Sequence, residues 1–295
     1  MPFSAKEEIT FRRILGINTR CFKKGKGQNL VLIPGWRSDI ERGYLLLDLL
    51  SDYFTVYTLD LPGTGKTDLF KKRHSIENYA EFVNEWIKQL KLNSFILSGI
   101  SMGCPIAVLS LKDKETMKKT RNLLFFLPIY NLGCLNLNRI YVAIIKATTS
   151  ILEKWPFYKI GDKFYHSDNL MKIAIRIFEK EKALKKPKNL QYHINSFKRF
   201  SFKVSMETIT SLLKTDLSRV NSKLDIPAII VMSRNDPLVK FEKSVQGYSK
   251  IFHKIYIEEL TLDFHAPRII ITKKMLKKKL GGSLENVQKR LLKAK

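Results

Sequence analysis

Short apolar runs that stop at turn residues recur along this chain, and segments with helical spacing lie between them. Asn29–Ile33 ends at Pro34-Gly35, Phe54–Leu59 ends at Asp60-Leu61-Pro62-Gly63, and Ser94–Ser98 runs into Gly99. Compact runs without polar alternation suit strands buried on both faces. Leu123–Leu127, Ala228–Met232 and Lys254–Glu258 also read as strands, and Ile9–Ile14 and Asn18–Phe22 form a pair turning near Gly16. Between them, Tyr44, Leu45, Leu46, Leu49 and Leu50 line one face of a helix that Ser38 or Asp39 would cap. Ile76–Leu90 and Cys104–Leu111 read as two more helices. Alternation of this kind predicts an α/β fold, a doubly wound, mostly parallel sheet covered on both faces.

The rhythm changes between about Tyr130 and Lys214. That stretch is helix-like, rich in Lys and in aromatics such as Trp155, Phe157, Tyr158, Phe164 and Tyr165, and holds no convincing strand. The expected division is a core domain of residues 1–129 and 215–295, carrying a helical cap or lid insertion of residues 130–214. Its aromatics would form the lid's own core or line a substrate pocket.

Composition narrows the function classes. The N-terminus has no apolar signal region, and no stretch approaches the roughly 18 apolar residues of a membrane span. Cys21, Cys104 and Cys134 are odd in number and not spaced as metal ligands, so a reduced, cytoplasmic protein without metal or cofactor is expected. The formal charge of +26 favours anionic partners or simply solvates the surface. No nucleic-acid motif accompanies it, so no specific nucleic-acid partner is expected. The exception is Lys273–Lys295, with nine basic residues and one acid. Leu276, Leu280, Leu284, Val287, Leu291 and Leu292 recur there at helical spacing. That is the pattern of a basic amphipathic helix for peripheral contact with an anionic membrane, or of a terminal helix packed on its own domain.

One motif carries chemistry. Gly99-Ile100-Ser101-Met102-Gly103 follows the strand Phe95-Ile96-Leu97-Ser98 and opens a helix at Pro105-Ile106-Ala107-Val108-Leu109. A sharp strand-to-helix turn holds its serine in a strained conformation and needs small neighbours two residues away on each side. The helix that follows aims its positive end at the turn. In this context the sequence resembles the α/β-hydrolase family. Val31-Leu32-Ile33-Pro34-Gly35-Trp36 looks like the family's oxyanion loop, and Leu59–Thr67 its Asp-x-Pro-Gly-x-Gly turn. Ile226–Val239 is similar to the segment bearing the catalytic acid, and Phe264-His265-Ala266-Pro267 to the histidine loop. The sequence departs from the family at Pro34, often His, and at Phe264, usually Gly. The resemblance implies Ser101 as nucleophile, His265 as base, Asp236 as the orienting acid, and an oxyanion hole of the Trp36 and Met102 backbone N–H groups. His74, His166, His193 and His253 read as solvated or packed side chains.

Pro62-Gly63-Thr64-Gly65-Lys66-Thr67 is close to a phosphate-binding loop, but Asp60 stands where that motif requires its first glycine. A serine at the elbow argues against the family's dehalogenases and epoxide hydrolases, which use a carboxylate. The expected activity is cleavage of a carboxylic ester or thioester of a small-molecule acyl substrate, for which the positive charge would suit an anionic one. The alternatives are carbon–carbon bond hydrolysis by the same triad, or a non-catalytic binding protein of the same fold.

Overall fold

The computed structural model describes residues 9–178, 187–220, 223–261, 265 and 271–293. Its strands are β1 (Ile9–Ile14), β2 (Ile17–Lys24), β3 (Asn29–Ile33), β4 (Thr55–Leu59), β5 (Phe95–Ile100), β6 (Thr120–Phe126), β7 (Ala228–Ser233) and β8 (Ile255–Leu260). They form one sheet in the order β1-β2-β4-β3-β5-β6-β7-β8. The β1-β2 and β2-β4 pairs are antiparallel, and every pair from β4 to β8 is parallel. β5 continues past Ser98 through Gly99 and Ile100, because both pair with Phe125 and Phe126 on β6. That extension carries the chain to the sheet's carboxyl edge before it turns.

The helices of the first half are α1 (Ile40–Leu50), α2 (Ile76–Leu90), α3 (Gly103–Ser110) and α4 (Lys114–Lys119). Five helices fall between β6 and β7: α5 (Arg139–Leu152), α6 (Phe157–His166), α7 (Asp168–Phe178), α8 (Pro187–Lys198) and α9 (Phe202–Lys214). The last two are α10 (Phe241–Ser249) and α11 (Lys273–Lys293). Asp39 caps α1 by accepting the Arg42 N–H at 2.8 Å, and Ser75 caps α2 through the Asn78 N–H. Each such cap stabilises its helix by about 1 kcal/mol.

β3 explains the double winding. Its Leu30 and Leu32 point into a core formed with α1 and α11, while Val31 and Ile33 point into a core formed with α2, α3 and α10. The sequence pattern of α10 offers little signal, because its buried side includes Ser244 and Gly247, the latter covered by the Tyr130 ring. The basic tail is a structural helix. Leu276, Leu280, Leu284, Val287 and Leu291 of α11 are all buried in the core shared with α1, so its apolar face is occupied by the protein itself. No helix among the described residues is long and apolar enough to cross a membrane.

Among the described residues, 130–214 contain no strand. Helices α5 to α9 have a small core of their own around Tyr165, Met171, Ile194, Phe202 and Met206. α9 belongs to both regions, since its Leu212 and Leu213 join the sheet-side core.

Candidate active site

Among the described residues, three of the five non-glycine residues with positive φ lie just past neighbouring strand ends: Arg37 after β3, Ser101 after β5 and Leu127 after β6. Open α/β sheets bind ligands at this carboxyl edge, and strained backbone concentrates at functional sites. Ser101 has φ 51°, which costs an L-residue about 1–2 kcal/mol. Its surroundings hold it there. The Ser101 N–H donates to the Phe126 carbonyl at 2.8 Å, and the Cys104 N–H donates to the Ser101 carbonyl at 3.0 Å. The flanking glycines leave no room for a side chain: a Cβ on Gly99 would lie 2.4 Å from the Gly103 carbonyl carbon, and one on Gly103 would lie 2.2 Å from the Ile33 oxygen.

The three residues expected to act together do meet. The Ser101 Oγ is 2.7 Å from His265 Nε2, and His265 Nδ1 is 2.8 Å from Asp236 Oδ2. The other Asp236 oxygen accepts the backbone N–H groups of Leu238 and Val239 at 2.8 and 2.9 Å, which fixes the carboxylate. An ionised carboxylate can only accept, so the imidazole proton belongs on Nδ1 and Nε2 is left to accept from the serine hydroxyl. The Asp236 side chain is inaccessible to solvent, and His265 keeps 13% of its side chain exposed. Phe264 lies outside the described residues.

Met102 is the N-cap of α3, and Trp36 follows Gly35, whose Cα packs so closely that a Cβ would sit 3.7 Å from the Ser101 Cβ. Neither the Met102 nor the Trp36 backbone N–H has an acceptor among the described residues. Both lie beside the serine, and the helix end reinforces positive potential there. The insertion reaches this loop: the Trp36 indole donates to the Ser205 carbonyl on α9 at 3.3 Å.

Two residues near the site carried no sequence signal for their part. Arg37 looks like a surface residue in a polar loop, yet it is buried with its guanidinium 3.5 Å from the Phe197 ring centre and near Trp36, Tyr165 and Phe200. It stitches the loop after β3 to α8 of the insertion. Asp60 is fully buried and accepts the Ile40 N–H at 2.7 Å and the Lys66 N–H at 3.0 Å. Burial pushes its pKa up to about 6 against the pull of those N–H groups and Arg20. The loop resembling a phosphate cradle therefore closes around its own carboxylate. A Cβ on Gly65 would sit 2.1 Å from Asp60 Oδ2, and the next helix after the loop, α2, begins only at Ile76.

The remaining histidines separate. His166 and His253 are exposed; His253 is 3.7 Å from Asp225, and the side chain of His193 lies outside the description. His74 is not on the Lys-rich surface its neighbours suggest. It is buried, 3.1 Å from the Tyr79 hydroxyl, and burial lowers its pKa to about 4. Among the described residues, no group of three His, Cys, Asp or Glu side chains is placed to hold a metal.

Residues 30–250 match the alpha/beta hydrolase family. The chain belongs to that family. A segment of 82 residues is 32% identical to an (E)-2-((N-methylformamido)methylene)succinate hydrolase of Acinetobacter baylyi; it covers 28% of this chain and 31% of that protein. The match thus spans under a third of that relative's length. Among solved structures, a bromoperoxidase from Bacillus anthracis superposes with a TM-score of 0.70 at 18% identity, covering 97% of this chain and 99% of that one. An epoxide hydrolase from Bacillus megaterium gives a TM-score of 0.67 at 18% identity, covering 96% and 100%. These structural likenesses speak for the shared fold. In this α/β hydrolase the residue at the turn between β5 and α3 is Ser101.

Proposed function

We propose that the protein is a serine hydrolase that cleaves a carboxylic ester or thioester through an acyl-enzyme. The observation carrying this reading is the hydrogen-bonded series Ser101 Oγ, His265 Nε2, His265 Nδ1 and Asp236 Oδ2, with the serine on a strained elbow. A serine hydroxyl needs a base within hydrogen-bond reach, and His265 is within that reach. Ser101 Oγ attacks the carbonyl carbon while His265 takes its proton. The oxygen that becomes negative lies against the Met102 and Trp36 N–H groups. His265 then returns the proton to the departing alcohol or thiol as the carbon–heteroatom bond breaks. Water repeats the sequence on the acyl-serine, with His265 again as base, and frees the acid and Ser101. Asp236 holds the imidazole in the required tautomer throughout.

The insertion acts as the lid, and the links from Trp36 and Arg37 to α8 and α9 support that role. Epoxide opening by a carboxylate nucleophile is disfavoured, because no carboxylate stands at the elbow. A fluorophosphonate probe tests the proposal: it should label the folded protein at Ser101 and fail to label Ser101→Ala. Absence of label on folded wild type would sink it. A series of p-nitrophenyl esters of increasing chain length then separates acyl preferences, and a protein that is labelled yet cleaves none of them redirects the search to carbon–carbon or amide bonds.

A further inference from the structure

The insertion turns large apolar side chains to solvent in a pattern rather than singly. Ile140, Ile144 and Ile151 follow each other at intervals of four and seven on α5, so they form one stripe, and they are 68%, 51% and 51% exposed. The other side of α5 packs inward through Ile145 and Leu152. The helix is therefore apolar on two faces, and the protein covers one of them. At the start of α6, which packs against α5, Trp155, Phe157 and Ile160 are 69%, 44% and 63% exposed. A clustered apolar face of this kind marks an interaction site.

The charges on this face choose the partner. Lys154, Lys159 and Lys163 are exposed between the apolar residues, and none has a carboxylate partner among the described residues. The local acids are occupied: Glu153 pairs with Arg73, Asp168 with Lys198, and Asp162 accepts the Phe202 N–H. The available charge is thus cationic. A second copy would bring two chains of net charge +26 together, whereas a negatively charged surface would be attracted. Tryptophan beside lysine suits the headgroup region, where the indole sits at the interface and the ammonium meets lipid phosphate.

We propose that this face of α5 and α6 docks the protein on an anionic phospholipid bilayer. The basic helix α11 offers no comparable stripe, since Leu276, Leu280, Leu284, Val287 and Leu291 are buried in its own domain and only Met275 and Leu292 of its large apolar residues are exposed. The proposal concerns binding alone and stands whether or not Ser101 is a nucleophile.

Trp155 supplies the readout, because Trp86 is fully buried and Trp36 packs against the core. The full chain is mixed with vesicles of phosphatidylcholine alone or with added phosphatidylglycerol. Cosedimentation should be at least about tenfold stronger with phosphatidylglycerol, with a blue shift in tryptophan emission that disappears in Trp155→Phe. Ile140→Ser with Ile144→Ser should weaken binding about tenfold, and so should Lys154→Glu with Lys159→Glu. The thermal midpoint of each should match wild type, which excludes misfolding. Lys274→Glu with Lys278→Glu on α11 should change binding less than about threefold. Equal binding to both vesicle types overturns the proposal, as does binding insensitive to the α5 and α6 substitutions. A concentration-dependent dimer that buries Trp155 without vesicles overturns it too.

Discussion

The carboxyl edge of the sheet and the helices between β6 and β7 meet at the same site but are built differently. At the sheet edge, the Ser101 N–H and carbonyl are held by Phe126 and Cys104, and Gly99 and Gly103 sit where no other residue fits. In the insertion, five buried residues make a small core, and the outer faces of α5 and α6 are left apolar and uncovered. The difference follows from what each must do. On the proposed reading, the nucleophile works only if its strained geometry is enforced, while a lid would need tolerance of sequence and surface.

Removing the nucleophile should separate the two regions most sharply. Ser101→Ala is expected to lower kcat by roughly 10⁴-fold or more, with a thermal midpoint at or above that of wild type, since it removes chemistry and no packing. Unchanged turnover would place the chemistry outside the sheet edge. Next in size, Gly103→Ala drives a Cβ into the Ile33 carbonyl and should cost about 4 kcal/mol in urea unfolding. A cost below about 1 kcal/mol would mean that the elbow is far more pliable than its contacts imply.

The seam between the regions provides the third test. His74 contacts Tyr79 of α2, and its backbone N–H donates to Glu207 of α9. Burial favours the neutral ring, lowering the pKa from 6.5 to about 4. The unfolded chain therefore binds the extra proton within that window. The His74 contribution is complete above pH 6.5 and is lost as the pH falls towards 4, a change on the order of 3 kcal/mol. Unfolding free energies measured from pH 7 to 4 should fall less steeply in His74→Gln than in wild type. Equal slopes would remove His74 from the seam. The smallest effect belongs to the outer face of the insertion, where Ile144→Ser should change stability by less than about 0.5 kcal/mol. A loss several times larger would show that this face is covered by the protein's own chain.

Much of the fold was legible because it rests on short-range pattern. β3 and α2 have the bounds their apolar spacing predicts, and Asp39 was readable as a cap. Ser101 was legible for a related reason: a strand, a glycine-flanked serine and a helix in succession leave few conformations. Helix α10 was missed because two of its four buried positions are Ser244 and Gly247, the latter leaving room for Tyr130 from far along the chain. Trp155 and Phe157 were read as lid core or pocket lining, and they face solvent instead. The buried environments of Arg37, Asp60 and His74 were not legible, because charge or polarity alone says nothing about what encloses a side chain.

By itself, the sequence determined the alternation of strands and helices, the elbow around Ser101, and the order in which serine, acid and histidine occur. These depend on residues within a turn or two of each other, where sterics and periodicity act directly. Only the tertiary structure decided that His265 reaches Ser101 across 164 residues of chain with Asp236 behind it, that Asp60 fills the glycine loop, and that α11 packs its main apolar face on its own domain. Those outcomes depend on which surfaces are buried against which, and burial is a property of the assembled fold.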